Sequence, residues 1–173
     1  MIRGIICEFE NLFFIKRETC VVCNKREPLD DLSLCYACMS EIESRRVEEN
    51  ILLENIGGKI TFSNSKELSI LVKKINNDIT LLKDVYFLIK TDIEKVVSEF
   101  NNYAVMAFKN EELTNYMVRK GRYPKYRKNK SYELVVIILL SANRLDKLDN
   151  YGKILLKRNT DNVMFISLYR GEL

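Results

Sequence analysis

"TCVVCNKREPLDDLSLCYACMSEI", residues 19–42, places Cys20, Cys23, Cys35 and Cys38 as two C-x-x-C pairs joined by the eleven residues Asn24 to Leu34. A zinc ion takes four soft or borderline ligands at the corners of a tetrahedron, with Zn–S about 2.3 Å. One C-x-x-C turn supplies two thiolates at a suitable bite, and two such turns complete the shell. Asn24, just after the first pair, tolerates the left-handed backbone of a metal knuckle. The second pair stands where a helix begins, so amides of its first turn can donate to sulfur. The spacing predicts a structural zinc ion on Cys20, Cys23, Cys35 and Cys38. A shell closed by four thiolates leaves no open position for catalysis. Cys7, in an apolar stretch, reads as a small buried hydrophobe.

A knuckle, a short hairpin and a second C-x-x-C opening a helix resemble the four-cysteine treble-clef and zinc-ribbon class, over residues 19–56 only. The resemblance implies a metal module and no particular family. Modules of this class are often nucleic-acid-associated, and many others dock protein partners.

The chain has 173 residues, 47% hydrophobic and 30% charged, with 6 Gly and 2 Pro. That composition can bury a core and carries no mark of disorder. The longest apolar run, "LVVIILL" at 134–140, is far too short to cross a bilayer. Glu8 and Glu10 interrupt the apolar N-terminal stretch, which therefore does not read as a secretory signal. These features predict an intracellular protein with no membrane span, cytoplasmic or nuclear, or within a host cell if viral. Thiols stay reduced there, so paired cysteines point to metal rather than disulfides.

Beyond the cysteines, Met39 to Ile56 reads as a helix stopped at Gly57-Gly58. Residues 2–16 read as one or two short strands, "KITF" (59–62) as a strand, and Asn64 with Glu67 as the cap of a helix carrying Leu68, Leu71, Val72 and Ile75. Val85 to Ile89 reads as a buried strand. Thr91 with Glu94 then resembles a capping box before an amphipathic helix on Ile93, Val96, Val97 and Phe100. "YAVMAF" (103–108) is a predicted strand, Asn110 the cap of a helix closed by Gly121, and "YELVVIILLS" (132–141) a strand buried on both faces. Residues 153–170 read as a hairpin turning at 159–162. The fold class is α+β, a mixed α/β chain: residues 1–58 form a four-cysteine zinc module with flanking strand and helix, and 59–173 a mixed α/β domain ending in a β-hairpin.

Charge divides the chain the same way. Residues 1–58 hold seven Lys and Arg against eleven Asp and Glu, whereas 59–173 hold twenty-one against thirteen. The cations concentrate in "RKGRYPKYRKNK", residues 119–130, as Arg119, Lys120, Arg122, Lys125, Arg127, Lys128 and Lys130, with Tyr123 and Tyr126 interleaved. Such a run attracts phosphate through counterion release, and tyrosine rings can stack on unpaired bases. A solvated loop, an anionic membrane surface or an acidic protein partner would fit the same residues.

Without histidine, a Ser-His-Asp triad, an H-E-x-x-H site and any imidazole base are excluded. No Gly-rich phosphate cradle occurs. Asp84, Asp92 and Glu94 beside Lys90 and Lys95 match no nuclease spacing, so no catalytic residue is assigned and an enzyme is not expected; a carboxylate-dependent nuclease or hydrolase is the outlying alternative. The expectation is a non-catalytic, zinc-stabilised nucleic-acid-associated protein, such as a regulator or accessory factor in transcription or genome maintenance. DNA or RNA would lie on the 119–130 loop and a protein partner on the acidic zinc end. The rival is an interaction adaptor or assembly subunit docking through the zinc module.

Overall fold

The apolar run Tyr132–Ser141 forms β4, which lies between β5 (Thr160–Tyr169) and β3 (Tyr103–Ala107), parallel to both. Alternate residues of β4 enter different cores. Leu134, Val136 and Ile138 join one buried cluster, and Val135, Ile137 and Leu139 the other. A period of two with both faces apolar is what a strand covered on both sides requires. The computed structural model describes residues 17–53, 56–75, 77–141, 145–156 and 160–169. The expected strands at 2–16, and Cys7, lie outside the described residues.

The chain order is α1 (Tyr36–Ser44), β1 (Arg46–Leu53), β2 (Ile56–Ser63), α2 (Lys66–Ile75), a 3₁₀ turn (Ile79–Leu81), α3 (Leu82–Val97), β3, α4 (Glu111–Lys120), β4, α5 (Leu145–Leu156) and β5. The sheet runs β1-β2-β5-β4-β3. β1 and β2 form an antiparallel hairpin in register from Arg46–Ser63 to Leu53–Ile56. β2 meets β5 in parallel at Ser63–Tyr169. Helices α1 to α4 contribute to the first buried cluster and α5, through Leu155, to the second. The result is a mixed α/β chain.

Several expected elements take another form. The helix expected over 39–56 ends at Ser44, and Arg46–Leu53 is strand β1. Helix propensities differ by less than about 1 kcal/mol per residue, so a full hairpin ladder overrides them. Gly57 and Gly58 lie within β2 and cap nothing. Val85 to Ile89 belongs to the continuous helix α3, whose buried residues Leu82, Val85, Leu88, Ile89, Ile93 and Val97 keep helical spacing. The apolar Phe87, 53% exposed, hid that period in the sequence. Thr91 and Glu94 are therefore mid-helix and form no capping box. The cap of α2 is Ser65, whose Oγ accepts from Leu68 N–H at 3.0 Å, and not Asn64. Asn110 caps α4 as expected, its Oδ1 accepting from Leu113 N–H at 2.8 Å.

The terminal hairpin is absent from the described residues. Residues 153–156 close α5, and β5 pairs with β4 in parallel, so the two strands are joined through a helix. Gly152 and Asn150, poor helix formers, masked α5 in the sequence. The expected boundary at 58–59 falls inside β2. The cysteine segment shares one buried cluster with the sheet: Cys20, Val21, Val22, Leu34 and Cys35 belong to the cluster that includes Leu134 and Ile166.

Candidate metal centre and basic strap

The four cysteine Sγ atoms all lie within 4.8 Å of one another, with Cys23 and Cys35 at 3.8 Å. A tetrahedral ion with metal–sulfur arms of about 2.3 Å spaces its sulfurs by about 3.8 Å. The four thiols are thus arranged to hold a metal ion. Local backbone bonds bring them together. Cys20 N–H donates to Arg26 O at 2.7 Å, and Asn24 N–H to Cys20 O at 2.9 Å. Asn24 adopts φ 56°, the left-handed turn the sequence required of it. Val21 N–H donates to Ser33 O at 2.8 Å and folds the first pair against the second. Cys35 is the N-cap residue of α1, in extended backbone, and Cys38 lies in its first turn.

The thiols differ in environment. The Lys25 backbone N–H draws the Cys23 thiol down to about 6, against the effect of burial and helped by the Cys20 and Cys35 thiols. Burial pushes the Cys38 thiol up, reinforced by hydrogen bonding with Cys35. Val22 N–H reaches Cys20 Sγ at 3.4 Å. The donors to sulfur at Cys20 and Cys23 therefore come from the knuckle itself.

Three polar ties fasten this segment to the body. Lys74 of α2 donates to Val21 O at 2.6 Å. Arg17 pairs with Asp78 and donates to Thr80 Oγ1 at 3.1 Å. Asp84 of α3, fully buried, accepts from Ser33 N–H at 2.6 Å, two residues before Cys35. Burial holds the Asp84 carboxyl above its ordinary range, opposed by the Ser33 hydrogen bonds. Sequence reading missed these ties. The available signal was an aspartate, Asp84, set among the core-facing positions of α3.

The basic stretch begins as the last turn of α4 and continues as a strap around the sheet edge. Val105 N–H of β3 donates to Pro124 O at 2.9 Å, and Lys125 bridges Val105 in parallel. Tyr123 packs into the first core and Tyr126 against the second. The strap thus rounds β3 with one tyrosine anchored on each side. Tyr123 is only 6% exposed, and its ring meets Tyr86 edge-on with centroids 6.4 Å apart. Tyr126 packs at 5.7 Å from Tyr132. Both rings pack against protein, Tyr123 buried and Tyr126 half-buried. Burial raises the Tyr123 phenol further above its ordinary value, helped by hydrogen bonding with Tyr86.

Gly121 closes α4 through its N–H to Met117 O at 2.8 Å, with φ −85° rather than left-handed backbone. Its lack of a side chain matters for space. A Cβ there would stand 2.2 Å from the Tyr123 ring and 2.8 Å from the Tyr86 hydroxyl. The left-handed residue is Arg122, at φ 56°. Lys125 is tied to the Glu111 carboxylate and to Asn115 Oδ1. Arg119, Lys120, Arg122, Arg127, Lys128 and Lys130 are exposed.

Neither a protein-family model nor a curated protein matches the chain. Its own residues therefore carry the functional reading. Among the described residues, the cysteines form the one cluster arranged to bind a metal. The carboxylates considered for cleavage chemistry point elsewhere. Asp84 accepts from Ser33, Asp92 pairs with Arg46, and Glu94 lies 3.6 Å from Lys90. Among the described residues no helix is long and apolar enough to cross a membrane.

Proposed function

We propose that the protein is a non-catalytic nucleic-acid-associated factor of the treble-clef or zinc-ribbon class. A structural zinc ion on Cys20, Cys23, Cys35 and Cys38 holds its N-terminal segment, and the strap contacts phosphate inside a cell. The observation that carries this reading is the exposure of six cations, Arg119 and Lys120 at the end of α4 and four on the strap, in a segment pinned by the buried Tyr123 and the half-buried Tyr126. Pinning lowers the ordering cost on binding, so charge alone can supply affinity. Zinc fits the donor set because four thiolates in a tetrahedral spacing suit a borderline-soft d¹⁰ ion. Transcription or genome maintenance is the setting such a factor serves.

The test is an electrophoretic shift series against salt with the Arg122→Ala/Arg127→Ala/Lys128→Ala protein. Loss of three phosphate contacts is expected to reduce the salt-dependence slope by about 2 to 3 and to weaken duplex and single strands alike. Unchanged affinity and slope contradict the reading.

The second reading is a docking adaptor. It is favoured by Tyr36, 74% exposed between Cys35 and Cys38. An exposed tyrosine at the start of a helix fixed by a four-cysteine centre suits the anchoring of a protein partner. Tyr36→Ala would then abolish partner capture without altering the salt series.

A further inference from the structure

Beside the strap, and sharing Arg127 and Lys130 with it, the structure contains a half-open cleft of about 320 Å³. It is lined by Asn101, Asn102, Tyr103, Arg127, Lys130 and Tyr132, with the strap backbone as one wall. It sits where β3 and β4 begin, so rigid strands form its floor. Its size is at the small end of ligand sites, roughly 300–1,000 Å³. We propose that this cleft receives one unpaired nucleotide of a single-stranded nucleic acid.

The lining divides by chemistry. Lys130 N–H donates to Arg127 O at 3.1 Å, a tight turn that brings both cations to the same mouth. Arg127 and Lys130 are exposed there and fit a phosphate. On another part of the lining, Asn102 Nδ2 donates to Ser131 O at 3.1 Å, which fixes that amide and leaves its carbonyl oxygen as an acceptor. The exposed Asn101 adds a second amide. Paired amides recognise the hydrogen-bonding edge of a base, and that edge is available only when the base is unpaired. Tyr132 is fixed as a wall: its hydroxyl accepts from Arg127 N–H at 3.1 Å and lies 3.4 Å from Lys125 O. Tyr103, half-buried, supplies aromatic surface.

Two acids lie nearby, Glu133 and Glu111. Glu133 Oε2 accepts from Asn101 and Asn102 N–H at 3.1 and 3.2 Å, so its charge is bound into the Asn101–Asn102 turn beneath the lining amides. Lys125 also lines the cleft, with its ammonium tied to Glu111. Two cations therefore remain at the mouth for one phosphate. A duplex can present phosphate to Arg127 and Lys130, but its paired bases cannot enter. An unpaired nucleotide satisfies both halves of the site.

This inference rests on the nucleic-acid reading and adds the strand state. The experiment is fluorescence anisotropy with a labelled twelve-nucleotide single strand, the duplex of the same sequence, and the free mononucleotide by calorimetry. The wild-type protein is expected to bind the single strand at least tenfold tighter than the duplex, and the mononucleotide at least a hundredfold more weakly. Asn101→Leu is expected to cut single-strand affinity about tenfold and leave duplex affinity within twofold. Lys130→Glu, also on the surface, is a second variant should Asn101→Leu fail to fold, and is expected to weaken the single strand more than the duplex. Equal affinity for both strand states, with Asn101→Leu silent, overturns the cleft assignment while leaving phosphate binding by the strap intact. Mononucleotide binding as tight as the strand overturns it in favour of a free nucleotide. No binding to either strand overturns both readings.

Discussion

The cysteine knuckle and the basic strap are both short irregular segments, yet they are held in opposite ways. The knuckle turns its reactive groups inward. Cys20, Cys35 and Cys38 are buried, and its valines and Leu34 join the main core. The strap turns its charges outward and buries only its anchors, Tyr123 and, in part, Tyr126. Loss of the knuckle's chemistry should therefore damage the fold, whereas loss of the strap's charges should damage only binding. The same stretch of strap contains both kinds of residue, so stability and binding can be separated within a few positions.

The largest effect is expected from Cys20→Ser or from stripping the metal. A metal shell that exists only in the folded state adds its binding free energy to folding. Because the knuckle and the sheet share a core, urea unfolding followed by circular dichroism should lose at least about 3 kcal/mol in one cooperative transition. A body that melts as before, with only the knuckle changed, would show the two regions to be independent.

Gly121→Ala should come next. Its methyl group would drive into the Tyr123 ring, at an expected cost of about 1–3 kcal/mol, read as a lower melting temperature. If the contact with Tyr123 is the cause, Tyr123→Leu in the same chain should recover part of the loss.

Asp84→Asn sharpens the comparison from the knuckle side. Burial raises the folded carboxyl's pKa above its unfolded value of about 3.9. Between those two values the folded state holds the proton and the unfolded state has lost it, so stability falls as pH rises. Above the folded value the full penalty remains. Asparagine keeps the acceptor for Ser33 N–H without that titration. The variant should be the more stable protein at neutral pH, and the difference should shrink towards the unfolded carboxyl range. Asp84→Ala instead leaves a buried N–H unpaired and should cost about 1–3 kcal/mol. A pH-independent difference between wild type and Asp84→Asn contradicts the assignment.

The smallest effect belongs to the strap surface. Glu111→Gln removes the carboxylate charge beside Lys125 at an exposed ion pair, and such pairs contribute about 0–1 kcal/mol. Melting should barely move.

Short-range geometry and the mixed α/β class were more legible in the sequence than the form of individual elements. C-x-x-C spacing is enforced by bond lengths within a few residues, so a cluster of four thiols arranged to hold a metal could be read directly. Asn24 and Asn110 were legible for the same local reason. The strand Tyr132–Ser141 was legible because both its faces are apolar. What failed depended on distant partners. Arg46–Leu53 has a helix former's composition and becomes a strand only through β2. Val85–Ile89 has a strand's composition and is helical because Leu82, Ile93 and Val97 complete one buried face. The role of Tyr123 was hidden because an interleaved tyrosine looks the same in sequence whether its ring meets a base or Tyr86.

The central claim is that one tetrathiolate ion closes the knuckle against the core. X-ray absorption at the zinc edge on gently purified protein, with metal content measured on the same sample, tests it most directly. One zinc per chain surrounded by four sulfurs at about 2.3 Å is the expected result. A metal-free protein, or a first shell containing nitrogen or oxygen, contradicts the account.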